Sequence, residues 1–248
     1  MMIDSLNAVY RRELTSYFQT PLAYVFLFFF AAAAPAFAFY TGRFFDTNRA
    51  DLAPLFDYLP LLLLILMPAL AMRSWAEERD RGTLEFLMAL PIPLWAATLG
   101  KFLASWTVAA AALILTFPMW LAVNYLGSPD NAAIATGYFG ALLLSGGYLA
   151  VGQALSATTS NQVIAFVLGA GACFLLTMAG LPIVQSALGD GAPAFVSEFI
   201  AGLSALEHYN AMRYGVIGLP DLIYFIGLIT VSLSSAGLLI ADRRGGGR

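Results

Sequence analysis

Seven charged side chains, Arg73, Glu77, Glu78, Arg79, Asp80, Arg81 and Glu85, crowd one short stretch of a 248-residue chain of which only 11% is charged. Interleaved charges of both signs offer handles to a protein partner. The other reactive residue types stand alone. His208 and Cys173 are the single histidine and single cysteine. They lie too far apart in sequence to build a metal site together, and one cysteine forms no intramolecular disulfide. A membrane-enzyme reading would use His208 with Glu198 and Glu207, but no nucleophile elbow or metal motif accompanies them. Structural hydrogen bonding is the simpler role for His208. Gly100-Lys101 is followed by Phe102, and Trp95 stands where a phosphate-binding loop needs glycine, so the chain does not hydrolyse ATP. If it does work, the energy comes from a partner.

The charged stretch has a pattern of its own. Ser74 followed by Glu77 reads as a capping box that starts a short helix through Trp75, Ala76, Glu77, Glu78 and Arg79. Gly82 interrupts it. Thr83 begins a second short helix with Leu84, Phe86, Leu87 and Leu90 as apolar positions, stopped before Pro91 and Pro93. Residues 73–93 are thus expected to form a bent element, with Glu77, Glu78, Arg79, Arg81 and Glu85 as a docking group. Phe86 and Leu87 are expected to anchor that group to the rest of the protein. A plain solvated connection of about 2 to 8 residues needs none of these features.

The elements that must position this segment are membrane helices. With 60% hydrophobic residues and a mean hydropathy of +0.79, the chain has too little polar surface for a soluble globule. Its net charge of −3 argues against a nucleic-acid surface. Apolar runs read as six spans, near residues 22–40, 58–72, 102–123, 135–155, 163–181 and 222–241, with the second the shortest because Asp57 and Pro60 precede its clean run. The fold class is all-α integral membrane protein in a single domain. The first run is too long for the core of a cleavable signal, so it is expected to remain as a span.

Nine of the twelve Lys and Arg residues fall on one side: Arg11, Arg12, Arg73, Arg79, Arg81, Lys101, Arg243, Arg244 and Arg248. Arg43, Arg49 and Arg213 fall on the other. The positive-inside rule puts both termini and the 73–101 segment in the cytoplasm. Residues 4–20 form an amphipathic helix, with Leu6, Val9, Tyr10, Leu14, Tyr17 and Phe18 on one face, that lies in the interface until Pro21 turns the chain. The outer segment 182–220 carries Phe195, Val196, Phe199, Ile200, Leu203 and Leu206 at helical spacing and is expected to be partly helical and packed on the membrane.

Ionisable residues are nearly absent from the spans, which removes support for a proton-driven carrier. Gln153 reads as an interhelical hydrogen bond. Small residues at Gly146, Ala150, Ala154 and Thr158, and at Ala165, Gly169 and Cys173, allow close helix contacts within one chain or between two copies. Pro35, Pro60, Pro68 and Pro118 allow kinks.

Three stretches carry a family resemblance. Glu77-Glu78-Arg79, Gly82-Thr83-Leu84-Glu85-Phe86-Leu87 and Pro91 resemble the conserved inner segment of ABC-2 type exporter permeases. Arg12-Glu13-Leu14, Tyr17-Phe18 and Pro21-Leu22-Ala23-Tyr24 resemble the amino-terminal elbow of the gliding-motility branch, which includes relatives linked to copper-enzyme maturation. His208-Tyr209, Arg213, Gly215-Val216-Ile217 and Asp221-Leu222-Ile223-Tyr224-Phe225 resemble that branch's outer stretch, with departures at Tyr214 and Gly218. The resemblance covers nearly the whole chain. It implies a six-span half that dimerises with a second copy or close homologue, in a bacterial inner membrane. It also implies an elbow helix containing Arg11, Arg12, Glu13, Tyr17 and Phe18. The inner segment would be a coupling helix seated on a separate ATPase, present in two copies and carrying the ATP and Mg, with room for a periplasmic accessory protein.

Overall fold

The computed structural model describes residues 2–42, 44, 51–89, 91–181, 184 and 194–245. Arg43, Arg49, Leu90 and Arg248, and residues 182–183 and 185–193 of the segment expected on the outer side, lie outside them. So do the side chains of Leu22, Val196, Arg243 and Arg244. The described residues form helices joined by short turns and irregular connections. In chain order they form α1 (Met2–Gln19), α2 (Pro21–Ala36) running into a π-helical turn (Phe37–Thr41), α3 (Ala53–Ala71), α4 (Arg73–Asp80) and α5 (Leu84–Ala89). Next come α6 (Leu94–Ile114), α7 (Phe117–Leu126), α8 (Asn131–Ser156), α9 (Gln162–Met178), α10 (Ala194–Gly202), α11 (Ala205–Arg213) and α12 (Leu219–Gly245).

Among the described residues, five helical rods are long and apolar enough to cross a membrane: Ala23–Thr41, Ala53–Asp80, Leu94–Leu126, Asn131–Ser156 and Leu219–Asp242. The sixth expected span is α9, apolar but only 17 residues. At 1.5 Å per residue it covers about 25 Å, near the lower limit for a bilayer core.

The second span was expected to be the shortest and is one of the longest. It starts at Ala53, because Pro54 suits the first helical turn and Asp57 is neutralised by Arg213 from α11. The third is bent: α6 ends at Ile114, and Pro118 restarts the chain as α7 after a turn at Leu115-Thr116. Pro35 precedes the π-helical turn that closes the first span.

At the start of the chain, Thr20 is extended (φ −104°, ψ 151°), as a residue before proline should be, and this corner turns α1 into α2. The apolar stripe of α1 is not left to lipid alone. It packs along α6, where Gly100 lacks the side chain that would strike Val9: a Cβ there would lie 2.8 Å from Val9 Cγ1. The core centres on α8, which touches α3, α6, α9, α11 and α12 and buries both its faces. Glycine makes this possible. A Cβ on Gly152 would lie 2.7 Å from Ala71 Cβ, and one on Gly169 would lie 3.2 Å from Pro68 Cβ. The small-residue positions Gly146, Ala150 and Gly169 are buried within one chain, with Gly146 against Trp106 and Ile229. Ala154 packs against a smaller cluster formed by Trp75, Leu87, Ala97, Ala157, Ala236 and Ile240.

Candidate functional site

Helices α1 and α4 and the N-terminal part of α6 meet in an ionic network. Lys101, the only lysine, is 4% exposed on α6. Its Nζ donates to Glu13 of α1 at 3.0 Å and to Glu78 of α4 at 3.1 Å. The Arg12 guanidinium donates to the same two carboxylates, at 2.5 and 3.0 Å. Burial works against the Arg12 charge, but Glu13 and Glu78 outweigh it and hold its pKa above the ordinary arginine value. Lys101 also stands 5.2 Å from the centre of the Trp75 ring, a fully buried indole. Thr83 closes the network by donating its hydroxyl to Glu78.

A second group lies beside it. Glu77 accepts a fork from Arg73, Nε at 2.6 Å and Nη2 at 3.1 Å, and pairs with Arg81 at 2.6 Å. Arg73 reaches on to the Thr20 hydroxyl at 3.4 Å, and Tyr17 donates to the Leu70 carbonyl at 3.1 Å. Burial is the main cause that pushes the Tyr17 phenol pKa upward, so the phenol stays a donor. Helix α1 and its corner are therefore tied to the junction of α3 and α4 by ionic and neutral bonds together.

Glu77 and Glu78 thus face inward, bonded to their own chain. The capping box expected at Ser74 does not form. Met72 keeps helical dihedrals (φ −56°, ψ −31°), so α3 passes into α4 with no extended N-cap position, and the Ser74 hydroxyl has no partner. A residue from α8 serves instead. The Ser156 hydroxyl accepts the Trp75 and Ala76 amides at 3.1 and 3.0 Å and donates to the Met72 carbonyl at 2.8 Å. Helical bonding pairs Ala76 N–H with Met72 C=O, so Ser156 is inserted into the ladder at the point where the rod breaks.

The outward face of α4 and α5, which together form a bent arm over residues 73–89, is different. Gly82 takes φ +67°, the left-handed value that ends α4 and turns the chain into α5. Arg81, Gly82, Thr83, Glu85 and Phe86 are exposed. Phe86 was expected to anchor the arm to the spans and is 76% exposed instead; Leu87 is buried among Trp75, Ala97 and Ile240. Neighbouring residues on a six-residue helix point about 100° apart, so only one of the pair can face the bundle. Between α5 and the turn after α8 runs an open groove of about 530 Å³, lined by Arg79, Gly82, Leu84, Glu85, Met88, Thr158, Thr159 and Ser160.

At the opposite end of the bundle, His208 fastens α11 to α12. Its ring nitrogens lie 2.6 Å from Asp221 Oδ1 and 3.2 Å from the Gly202 carbonyl, and the ring stacks on Tyr224 at 4.2 Å. The helix expected through residues 195–206 is split at Leu203, and Ser204 caps α11 by accepting the Glu207 amide at 3.4 Å. Phe195 and Phe199 are exposed. Gln153 makes the interhelical bond expected of it, donating to the Thr98 carbonyl at 2.9 Å.

Sequence reasoning overlooked Ser156, Trp75 and the pairing of Lys101. One signal was available for the last: a solitary lysine eight residues into an apolar helix requires partners from elsewhere. For Ser156, at the end of an ordinary apolar run, no signal existed.

Residues 22–239 match the model of a family described as ABC-2 family transporter protein. No curated protein matches the chain.

Proposed function

Because the chain belongs to the ABC-2 transporter family, as the multi-pass membrane component that works with a separate ABC ATPase, we propose that α4 and α5 are the arm this ATPase grips. The observation that carries the reading is the two-sidedness of the arm. One face is bonded into α1, α6 and α8; the other presents Glu85 and Phe86 beside an open groove. A solvated connection would need only the second face.

In this reading six helices span the membrane, α9 among them, and both termini and the arm lie in the cytoplasm of a bacterium. Two permease halves, identical or closely homologous, associate with two ATPase subunits that bind ATP and Mg, and the assembly exports its substrate. Closure of the ATPase dimer pushes on α5 and the tip of α4. Because α4 continues α3 and is bonded to α1, α6 and α8, the push moves span ends together. Switching a two-state equilibrium from 1:99 to 99:1 needs about 5.5 kcal/mol. An exposed ion pair supplies at most about 1 kcal/mol, so Phe86 and the groove must carry contact area in addition to charge. The elbow and outer stretches support placement in the gliding-motility branch.

The test is reconstitution with the ATPase. The permease should raise ATP turnover, and Phe86→Ala should abolish the increase while the permease stays folded. Unchanged stimulation in Phe86→Ala, Glu85→Lys and the double variant would overturn the assignment of the arm.

A further inference from the structure

A cavity of about 300 Å³ lies between α1, the α3–α4 junction and α6, and its charges do not balance. Four cations line it, Arg12, Arg73, Arg81 and Lys101, against three carboxylates, Glu13, Glu77 and Glu78. Each carboxylate is already shared between two cations: Glu77 between Arg73 and Arg81, Glu13 and Glu78 between Arg12 and Lys101. One positive charge is left over. The same wall carries Ser74, 9% exposed, whose hydroxyl has no hydrogen-bond partner. A buried hydroxyl of this kind is stabilised by an acceptor, and the surplus charge calls for an anion.

We propose that the cavity is a binding site for a phosphodiester, the headgroup of a membrane phospholipid. A phosphodiester bears one negative charge, which matches the surplus, and its oxygens suit both arginine forks and a hydroxyl donor. The cavity reaches Tyr17 and Thr20, the corner where α1 passes into the first span. In the placement proposed above, where the first span begins after Pro21, that corner lies at headgroup depth, where lipid phosphates lie. Ser74, Arg73 and Arg81 face the phosphate, and the lipid becomes a third tie between elbow and arm. This site is independent of what grips the outer face of α5.

Thermal unfolding of the purified full chain in an uncharged detergent tests the site. Added phosphatidylglycerol should raise the midpoint, whereas diacylglycerol, with the same chains and no phosphate, should not. In Ser74→Val and in Arg81→Gln the apparent affinity for phosphatidylglycerol should fall about tenfold, the loss of one charge-assisted bond. Arg81 is exposed, so its variant folds even if Ser74→Val does not. Dimethyl phosphate separates the sources: an equal shift with this soluble diester makes the native ligand a free phosphate ester, and a shift with the lipid alone makes it a headgroup. Equal shifts with diacylglycerol and phosphatidylglycerol, or undiminished binding in Arg81→Gln, overturn the site.

Discussion

Ser156 at the end of α8 holds the Ala76 amide of α4 at 3.0 Å, joining residues 80 positions apart in the chain. The same hydroxyl takes the Trp75 amide and gives its proton to Met72, so one side chain satisfies three backbone groups where α3 passes into α4. A hydroxyl in this position serves as an N-cap supplied from another helix. It also makes the break a defined joint, because the arm can tilt against α8 only by exchanging these bonds.

Ser156→Ala should destabilise the protein by about 1 to 2 kcal/mol, the loss of a good cap. Amide exchange at Trp75 and Ala76 should accelerate while the middle of α8 remains protected. Ser156→Thr, which keeps the hydroxyl, should preserve more of the protection. Equal exchange in wild type and Ser156→Ala would refute the joint.

Lys101→Met should be among the most damaging single changes in the α1–α4–α6 network. It leaves Glu13 and Glu78 close together, bridged by Arg12 and no longer by Lys101. Removing one partner of a buried pair costs about 3 to 5 kcal/mol, and partial exposure of the carboxylates places this case near the lower figure. Lys101→Arg keeps the charge but must fit a larger head beside Trp75, so it should fall between wild type and Lys101→Met in detergent melts.

The two faces of the arm should separate by phenotype. Glu78→Lys puts a cation beside Lys101 and Arg12 and should lower the unfolding midpoint and the yield of folded protein. Phe86→Ala, at an exposed site, should change stability by less than about 0.5 kcal/mol and register only in ATPase stimulation. A Glu78→Lys protein that melts like wild type would show that the inward network contributes little.

Gly152→Ala should cost about 1 to 3 kcal/mol through overpacking against Ala71. The one contact shorter than van der Waals distance is with Ala71 Cβ, at 2.7 Å, while Pro68 Cα stands off at 3.4 Å, so Ala71→Gly should restore much of the loss. A double-variant cycle on unfolding midpoints reads the coupling directly; additivity of the two changes would mean that α3 and α8 separate slightly instead.

Much of this protein was legible in one dimension because its signals are local. Apolar run length identifies five of the six expected spans as helices long enough to cross a membrane, helical spacing of Val9, Tyr10 and Tyr17 identifies α1, Pro21 and Pro118 mark turns, and Gly82 marks the bend of the arm with the positive φ found there. The family resemblance, carried by short motifs, was equally accessible. What the tertiary structure decided is which way each side chain of the arm faces. Each residue turns a helix by about 100°, so Phe86 and Leu87 meet opposite fates according to how α5 settles on Trp75 and Ile240. Lys101 finds Glu13 across 88 positions, and Ser156 finds Met72 across 84. Contacts of that range depend on the rotation and offset of helices packed against one another, and no local pattern in the chain encodes them.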